Sequence, residues 1–205
     1  MKDLLTQIET PYVDAQTLLT FLGHYQRPRE WILRKVKSGD LIRLKNGFYL
    51  IQSRIKAGGV PYEQVANLLY GPSYVSLEWA LSFYGMIPER VHTVTSMALG
   101  RAKEYHTPIG DFSYVSLKST IYSVGVDLKE APDSTGHYFM ATPEKALADF
   151  VYVHCKNLKG KDLEIDLFES RRMDRETLTQ LNKSLLLDIA KIYRSKNIDQ
   201  LIRFI

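Results

Sequence analysis

The chain lacks the features that mark secreted and membrane proteins. Its 205 residues include one cysteine, Cys155, so an internal disulfide and a pair of thiolate metal ligands are both excluded. No stretch approaches the roughly 20 apolar residues that span a bilayer, and the first residues lack the continuous apolar core of a signal peptide. We therefore expect a cytoplasmic protein with no membrane partner.

Common enzyme signatures are missing as well. The sequence contains no phosphate-binding Gly-x-x-x-x-Gly-Lys-Ser/Thr, no dinucleotide-binding Gly-x-Gly-x-x-Gly and no Gly-x-Ser-x-Gly nucleophile elbow. His154 and Cys155 are adjacent, a spacing that suits neither two ligands on one helix face nor a nucleophile with its base. These absences favour a protein that is not an enzyme and that uses no cofactor and no metal.

Two groups of charged residues could still carry chemistry. Asp162, Glu164 and Asp166 alternate, and on an extended segment they would share one face that could hold a hard cation. A solvated edge is the favoured interpretation, and a metal-dependent nuclease or transferase using this cluster is the weakest alternative. Glu144-Lys145 stands at the predicted start of a helix, where capping and solvent account for both charges.

The composition is that of a globular protein. Hydrophobic residues make up 45% and charged residues 24% of the chain, which allows a substantial core. The length predicts one small and one medium domain. Gly58-Gly59, followed by Val60-Pro61, interrupts helix and strand patterns and marks a boundary between the two domains. We therefore place a first domain at residues 1–57 and a second at residues 60–205.

The positive charge is concentrated in the first domain. The net charge of the chain is +4, but residues 1–60 hold ten basic against five acidic residues, and the rest of the chain is slightly acidic. Within residues 27–56 the count is nine basic against two acidic, a net charge of +7. Such a local excess is typical of a surface that binds phosphates, although a solvated helix face would give a similar count.

The first forty residues have the pattern of three short helices. The first covers Leu4 to Ile8, the second runs from a cap at Asp14 to a stop at Gly23, and the third from Pro28 to Ser38-Gly39. We expect the third helix to bury Ile32, Leu33 and Val36. Its opposite face would then be mainly basic and hydrogen-bonding, and would carry Arg27, Glu30, Trp31, Arg34, Lys37 and Ser38.

A hairpin follows the third helix. Leu41–Leu44 and Phe48–Ile51 read as two strands around Lys45-Asn46-Gly47, and Asn-Gly is a strong hairpin signal because both turn positions of the favoured turn need positive φ. Three helices and a basic hairpin predict a winged helix-turn-helix that binds double-stranded DNA. An adaptor role in protein binding is the alternative. The predicted DNA contacts are Arg27, Arg34, Lys35, Lys37, Arg43 and Lys45.

The second domain has the pattern of an α+β fold. Helices are predicted from Tyr62 to Tyr70 and after a cap at Ser76, and a further helix starts at Thr142-Pro143. Between them we expect a small, mainly antiparallel sheet with strands near 91–95, 102–107, 112–117 and 137–141. A long amphipathic helix over Leu178–Ile192 and a shorter one from Ile198 would cover one side of it.

Several segments, in this order, resemble the AbiEi-type antitoxins and related predicted transcriptional regulators. After the predicted winged helix come Tyr74-Val75-Ser76-Leu77-Glu78-Trp79-Ala80-Leu81 with Tyr84-Gly85-Met86-Ile87-Pro88, the hairpin from Tyr105 to Tyr114, and Ala141-Thr142-Pro143-Glu144-Lys145-Ala146-Leu147. The resemblance covers about residues 10–155. Apolar and capping residues account for the segments Tyr74–Pro88 and Thr142–Leu147, which we therefore interpret as structural.

The resemblance implies the antitoxin of a type IV toxin–antitoxin, or abortive-infection, system. Such a protein represses its own operon through the winged helix and counters a nucleotidyltransferase-like toxin through the second domain, without the need for a stable toxin complex. The predicted partners are therefore operator DNA and, functionally, such a toxin. The competing hypothesis from the residues alone remains a protein-interaction module with the winged helix as adaptor.

Overall fold

The computed structural model describes residues 4–131 and 136–204 and has an α+β fold with two sheets. The N-terminal part begins with a short 3₁₀ helix, Leu4–Gln7. The elements that follow are β1 (Tyr12–Asp14), α1 (Ala15–Phe21), α2 (Pro28–Lys37), β2 (Leu41–Lys45), β3 (Phe48–Ile51) and α3 (Gln52–Gly58). Strands β1, β3 and β2 form an antiparallel sheet in that order.

Local capping residues set the ends of α1 and α2. The Asp14 carboxylate accepts a 2.8 Å hydrogen bond from the backbone N–H of Thr17, which confirms the predicted cap of α1. α2 starts at Pro28, where the missing N–H is no loss, and ends before Gly39, whose φ of 81° reverses the chain. α1 ends at Phe21, two residues before the predicted stop at Gly23.

The predicted β2–β3 hairpin is present, but its turn differs from the expected one. Gly47 has a φ of 75°, whereas Asn46 is not among the residues with positive φ, so the expectation of two such positions is wrong. Arg43 lies opposite Tyr49 and Lys45 opposite Phe48, so the register shifts between them. A bulge of this kind increases strand twist, which removes the need for a turn with two left-handed residues.

The second part is built on a six-stranded mixed sheet. Its elements up to the last strand are α4 (Tyr62–Leu69), β4 (Ser73–Val75), α5 (Leu77–Phe83), β5 (Val94–Ala98), β6 (Lys103–Thr107), β7 (Gly110–Ser116), β8 (Val126–Glu130) and β9 (His137–Ala141). The strand order is β6-β7-β5-β4-β9-β8, with β4–β9 and β5–β7 parallel and the other neighbours antiparallel. The prediction of a small, mainly antiparallel sheet is therefore corrected: β4 and β8 were missed, and the sheet is mixed.

Helices cover this sheet and complete the chain. They are α6 (Pro143–His154), α7 (Lys161–Ile165), which continues into a π-helical turn (Asp166–Ser170), α8 (Arg175–Thr179), α9 (Lys183–Tyr193) and α10 (Lys196–Leu201). The predicted helix over Leu178–Ile192 is thus two helices. The break occurs because the Asn182 side chain accepts from the N–H of Leu185 as a cap, while the Asn182 N–H donates to Glu144.

The acidic residues of α7 do not form an extended edge. Because residues 161–170 are helical, Asp162, Glu164 and Asp166 do not alternate on one extended face, so the arrangement that the cation-binding alternative requires is absent here. Glu164 accepts a 2.6 Å hydrogen bond from Arg175.

The β2–β3 hairpin belongs to two apolar clusters. One face contributes Leu41, Tyr49 and Ile51 to an N-terminal cluster with Leu18, Leu22 and Trp31. The other face contributes Leu44, Phe48 and Leu50 to the main core around α4, α5, the large sheet and α6. Side chains alternate between the two faces of a strand, so one hairpin can join both clusters. Over residues 4–131 and 136–204, no helix is long and apolar enough to cross a membrane.

Candidate functional site

The exposed face of α2 is basic, but it is rotated from the predicted one. Trp31 is 8% exposed and Leu33 is 63% exposed, so the prediction that Leu33 is buried and Trp31 faces outward is wrong. Trp31 packs edge-on against Tyr25, with ring centroids 6.4 Å apart, and an indole provides more apolar area to the N-terminal cluster than a leucine. The buried face of α2 therefore centres on Trp31 and Ile32.

This rotation brings three cations together on the outside of α2. Arg29, Arg34 and Lys37 are exposed, and helical spacing puts them on the face that carries Leu33. Of these, Arg34 and Lys37 were predicted to contact DNA, whereas Arg29 was not. Its position opposite the buried Trp31 is the signal that would have placed it on this exposed face.

Arg27 and Lys35 have acidic partners beside them. Arg27 precedes α2 and forms an exposed 3.3 Å ion pair with Glu30. Lys35 is half-buried: its ammonium lies 3.0 Å from Asp40 and 5.5 Å from the centre of the Trp31 ring. The hydrogen bonds that Asp40 accepts from Lys35 and Ser38 lower the pKa of its carboxyl. The geometry thus places Lys35 on the side of α2 that faces the protein.

The two predicted hairpin residues point to different surroundings. Arg43 is exposed and donates to the side-chain oxygen of Asn46 in the turn. The Lys45 ammonium instead donates to the carbonyl oxygens of Leu69, at 2.6 Å, and Leu68, at 3.2 Å. These carbonyls end α4, so Lys45 joins the hairpin to the second part of the chain.

The outer surface of this region therefore has two sources of positive charge. Arg29, Arg34 and Lys37 project from α2, and Arg43 projects from the hairpin that directly follows it. Exposed Arg and Lys can contact phosphates, and Arg can also bridge the O6 and N7 atoms of guanine. The surface formed by these four residues is called the α2 surface below.

A buried polar cluster lies in the second part, where solvent-exposed charges were expected. Lys145 is wholly buried and Glu144 is 6% exposed, so the prediction that solvent accounts for both charges is wrong. The Lys145 ammonium donates to the carbonyl of Ile121 and the hydroxyl of Tyr193, each at 2.6 Å. It is buried because the rings of Tyr74, on β4, and Tyr193, on α9, lie against its ammonium and Gly125, before β8, lies against its Cβ.

Asp149 completes this cluster. Its carboxylate accepts hydrogen bonds from Tyr74 at 3.0 Å, from Ser76 at 2.7 Å and from Tyr193. Ser76 stands at the predicted cap position of α5, but its hydroxyl binds Asp149 instead of the helix. Two segments that carry the family resemblance, one with Tyr74 and Ser76 and one with Lys145, therefore meet at Asp149.

The remaining chemical candidates have structural partners. His154 lies 3.1 Å from Glu78, and the Cys155 thiol donates to Asp166 at 3.6 Å. Burial and the nearby Asp166 raise the pKa of the Cys155 thiol to about 12. Over the described ranges 4–131 and 136–204, no three His, Cys, Asp or Glu side chains come together as metal ligands would.

No family model matches the chain, and no curated protein matches it. Among solved structures, the chain is similar to the one described as the crystal structure of RV2827C protein from Mycobacterium tuberculosis. The two are 11% identical, the TM-score is 0.47, and the match covers 98% of this chain and 78% of the other.

Proposed function

We propose that the chain is a DNA-binding transcriptional repressor whose N-terminal part is a winged helix-turn-helix. The observation that carries the proposal is the α2 surface, in which three exposed cations on one helix are followed along the chain by a fourth on the next hairpin. The order helix, strand, helix, helix and hairpin is the order of elements in a winged helix, with α2 in the position of the recognition helix.

In this proposal α2 enters the major groove and the β2–β3 hairpin lies along the backbone. Arg29, Arg34 and Lys37 contact base edges and phosphates, and Arg43 contacts phosphates. Arg27 can join them if it leaves Glu30, since an exposed ion pair is weak. Lys35 and Lys45 are assigned to the support of α2 and of the hairpin, because their ammonium groups are engaged with Asp40 and with the end of α4.

The test is binding of the chain to a DNA fragment from its own upstream region over a series of salt concentrations. About five phosphate contacts per chain predict a slope of log K against log salt near −4.5. The double variant Arg34→Glu/Lys37→Glu should abolish specific binding. A control with the same charge change, Lys161→Glu/Lys183→Glu, lies at exposed helix starts in the second part and should bind normally. Retained binding in the Arg34/Lys37 variant would remove α2 as the recognition helix.

We further propose, from the resemblance to AbiEi-type antitoxins, that this cytoplasmic repressor is the antitoxin of a type IV system. It would oppose a nucleotidyltransferase-like toxin through its second part. The buried cluster around Asp149 supports this assignment because Tyr74, Ser76 and Lys145, which belong to it, lie in segments that carry the resemblance. Co-expression with a candidate toxin tests it: the Arg34→Glu/Lys37→Glu variant should lose repression and still rescue growth. If the wild-type chain failed to restore growth of cells that express a toxin encoded next to it, the antitoxin role would be refuted and the repressor role would not.

A protein-interaction module is the second candidate, and one surface favours it. Leu128 and Phe139 are cross-strand neighbours on β8 and β9, and they are 59% and 49% exposed. Because β8 is an edge strand, this apolar surface adjoins open backbone groups that a partner can bind. This candidate predicts no salt-dependent DNA affinity, which the same titration measures.

A further inference from the structure

A strongly basic cavity lies in the second part of the chain. Its volume is about 810 Å³, and it is bordered by the end of α6, the segment after β7 and the turn between α9 and α10. Thirteen residues line it, and none of them is acidic. Six of them are cations: Lys118, Lys156, Lys159, Lys191, Arg194 and Lys196.

Most of these cations have no acidic partner. Lys191 forms an exposed 2.8 Å ion pair with Asp188. Within the described part of the chain, the other five have no carboxylate at ion-pair distance. Like charges gathered around one concave surface repel each other, and a bound anion would relieve that repulsion. The cavity therefore has the charge that an anionic ligand needs.

The backbone at Arg194 is a second, independent observation. Arg194 ends α9 with φ 50° and ψ 44°, the left-handed conformation that glycine normally supplies at a helix end. A long side chain in this conformation is disfavoured; such strain is often found at ligand sites, and at Arg194 it falls on a residue that lines the cavity. Arg194 lines the cavity, where a planar guanidinium suits a phosphate oxygen pair.

The floor of the cavity is held in place by the buried core. Tyr193 donates to Asp149 and accepts from Lys145, and the Asn197 amide donates to the carbonyl of Cys155. Both residues line the cavity. The turn that carries Arg194 and Lys196 is therefore anchored on either side, so its cations are positioned before a ligand arrives.

We propose that this cavity binds a small ligand with several phosphate groups, such as the triphosphate of a nucleotide. The side chains of lysine and arginine form strong charge-assisted hydrogen bonds with phosphates. The volume lies within the range of small-molecule sites, which are concave, whereas duplex DNA is met by elements that project into its grooves. The site is separate from the α2 surface, and the proposal does not depend on DNA binding.

Calorimetric titration of the full chain at low salt tests the proposal, with tripolyphosphate and ATP as probes and adenosine as the uncharged control. We expect saturable binding of one tripolyphosphate or ATP per chain and none of adenosine. Lys156→Gln/Lys196→Gln should weaken binding by about tenfold or more, since each lost charge-assisted hydrogen bond contributes on that scale. Absence of saturable binding by both phosphate probes would overturn the proposal.

Two glycine substitutions distinguish binding at this site from nonspecific attraction of an anion to a basic protein. Arg194→Gly should keep or raise the melting temperature, because glycine favours the left-handed conformation, yet should weaken tripolyphosphate binding. Arg172→Gly is the matched control: Arg172 also has a positive φ, of 52°, and does not line the cavity. Equal affinities of the two variants for tripolyphosphate would overturn the proposal. It would also be overturned if duplex DNA displaced tripolyphosphate more effectively than ATP does, at equal concentrations of phosphate groups. The Arg34→Glu/Lys37→Glu variant should bind tripolyphosphate normally.

Discussion

The ammonium group of Lys145 and the carboxylate of Asp149 lie 3.6 Å apart on consecutive turns of α6, and neither side chain reaches solvent. The Tyr193 hydroxyl connects them, since it accepts from Lys145 and donates to Asp149. Burial lowers the pKa of Lys145 and raises the pKa of Asp149, and their mutual attraction opposes both shifts. Each charge is therefore tolerated in the core because the other is present.

A double-mutant cycle should detect this dependence. Asp149→Leu leaves a buried ammonium and three hydroxyl donors without their acceptor, so we expect a loss of about 3–5 kcal/mol in the free energy of unfolding. Lys145→Met should cost less, because Asp149 keeps the donors of Tyr74, Ser76 and Tyr193. The double variant should be more stable than Asp149→Leu alone. Urea unfolding measures all four proteins, and additive losses would show that the two charges are independent.

Local signals predicted the starts of helices but not which faces they bury. Asp14, Pro28 and Thr142 begin helices as expected, because capping involves only the next three residues. Lys145 and Asp149 are buried because α6 is covered on several sides, and capping contains no information about that. In α2 the buried face shifted to Trp31, which depends on the position of Tyr25 and not on the period of the helix.

Local signals also predicted strand pairing only where the paired strands are neighbours in the sequence. The β2–β3 hairpin is predictable because an Asn-Gly turn joins strands that are neighbours in sequence. The parallel pairs β5–β7 and β4–β9 join strands that are separated by other elements, and no turn residue marks them. The cavity has no local signal either, because its cations come from the segment after β7, the segment after α6, α9 and its end, and the start of α10.

Gly125 should be essential for the approach of β8 to α6. It has a φ of 76°, and a Cβ there would lie 2.8 Å from the Cβ of Lys145, which is fixed to the backbone of α6. Its carbonyl also accepts from the N–H of Thr142. Gly85 has a φ of 68° with open space around it, so Gly85→Ala should cost only the backbone strain, about 1–2 kcal/mol. Gly125→Ala should cost clearly more in urea unfolding, and an equal cost would contradict the close contact.

The Cys155 thiol should make the fold sensitive to alkali. Because burial raises its pKa to about 12 from 9.0, its contribution to stability is complete below pH 9 and is lost as the pH rises from 9 to about 12. At about pH 10.5 the wild type should lose about 2 kcal/mol that Cys155→Ala does not lose. Urea unfolding at neutral and alkaline pH measures the difference.

The same burial predicts that a thiol reagent modifies the native protein far more slowly than the urea-unfolded protein, and rapid native labelling would contradict it.

Lys45 and Arg43, both on β2, allow the structural role of one residue to be tested separately from the proposed DNA contact of the other. The Lys45 ammonium donates to the last carbonyls of α4, those of Leu68 and Leu69, where positive charge also offsets the helix dipole. Lys45→Met keeps an apolar side chain of similar length but removes these bonds and the contact of the ammonium with the Phe48 ring, so we expect a loss of about 0.5–1.5 kcal/mol in stability. The slope of DNA affinity against salt should not change. Arg43→Met should instead leave stability nearly intact and reduce that slope by about one, since one phosphate contact is lost. If Lys45→Met reduced the slope and kept full stability, the contact with α4 would not be its role, and Lys45 would return to the DNA-binding set.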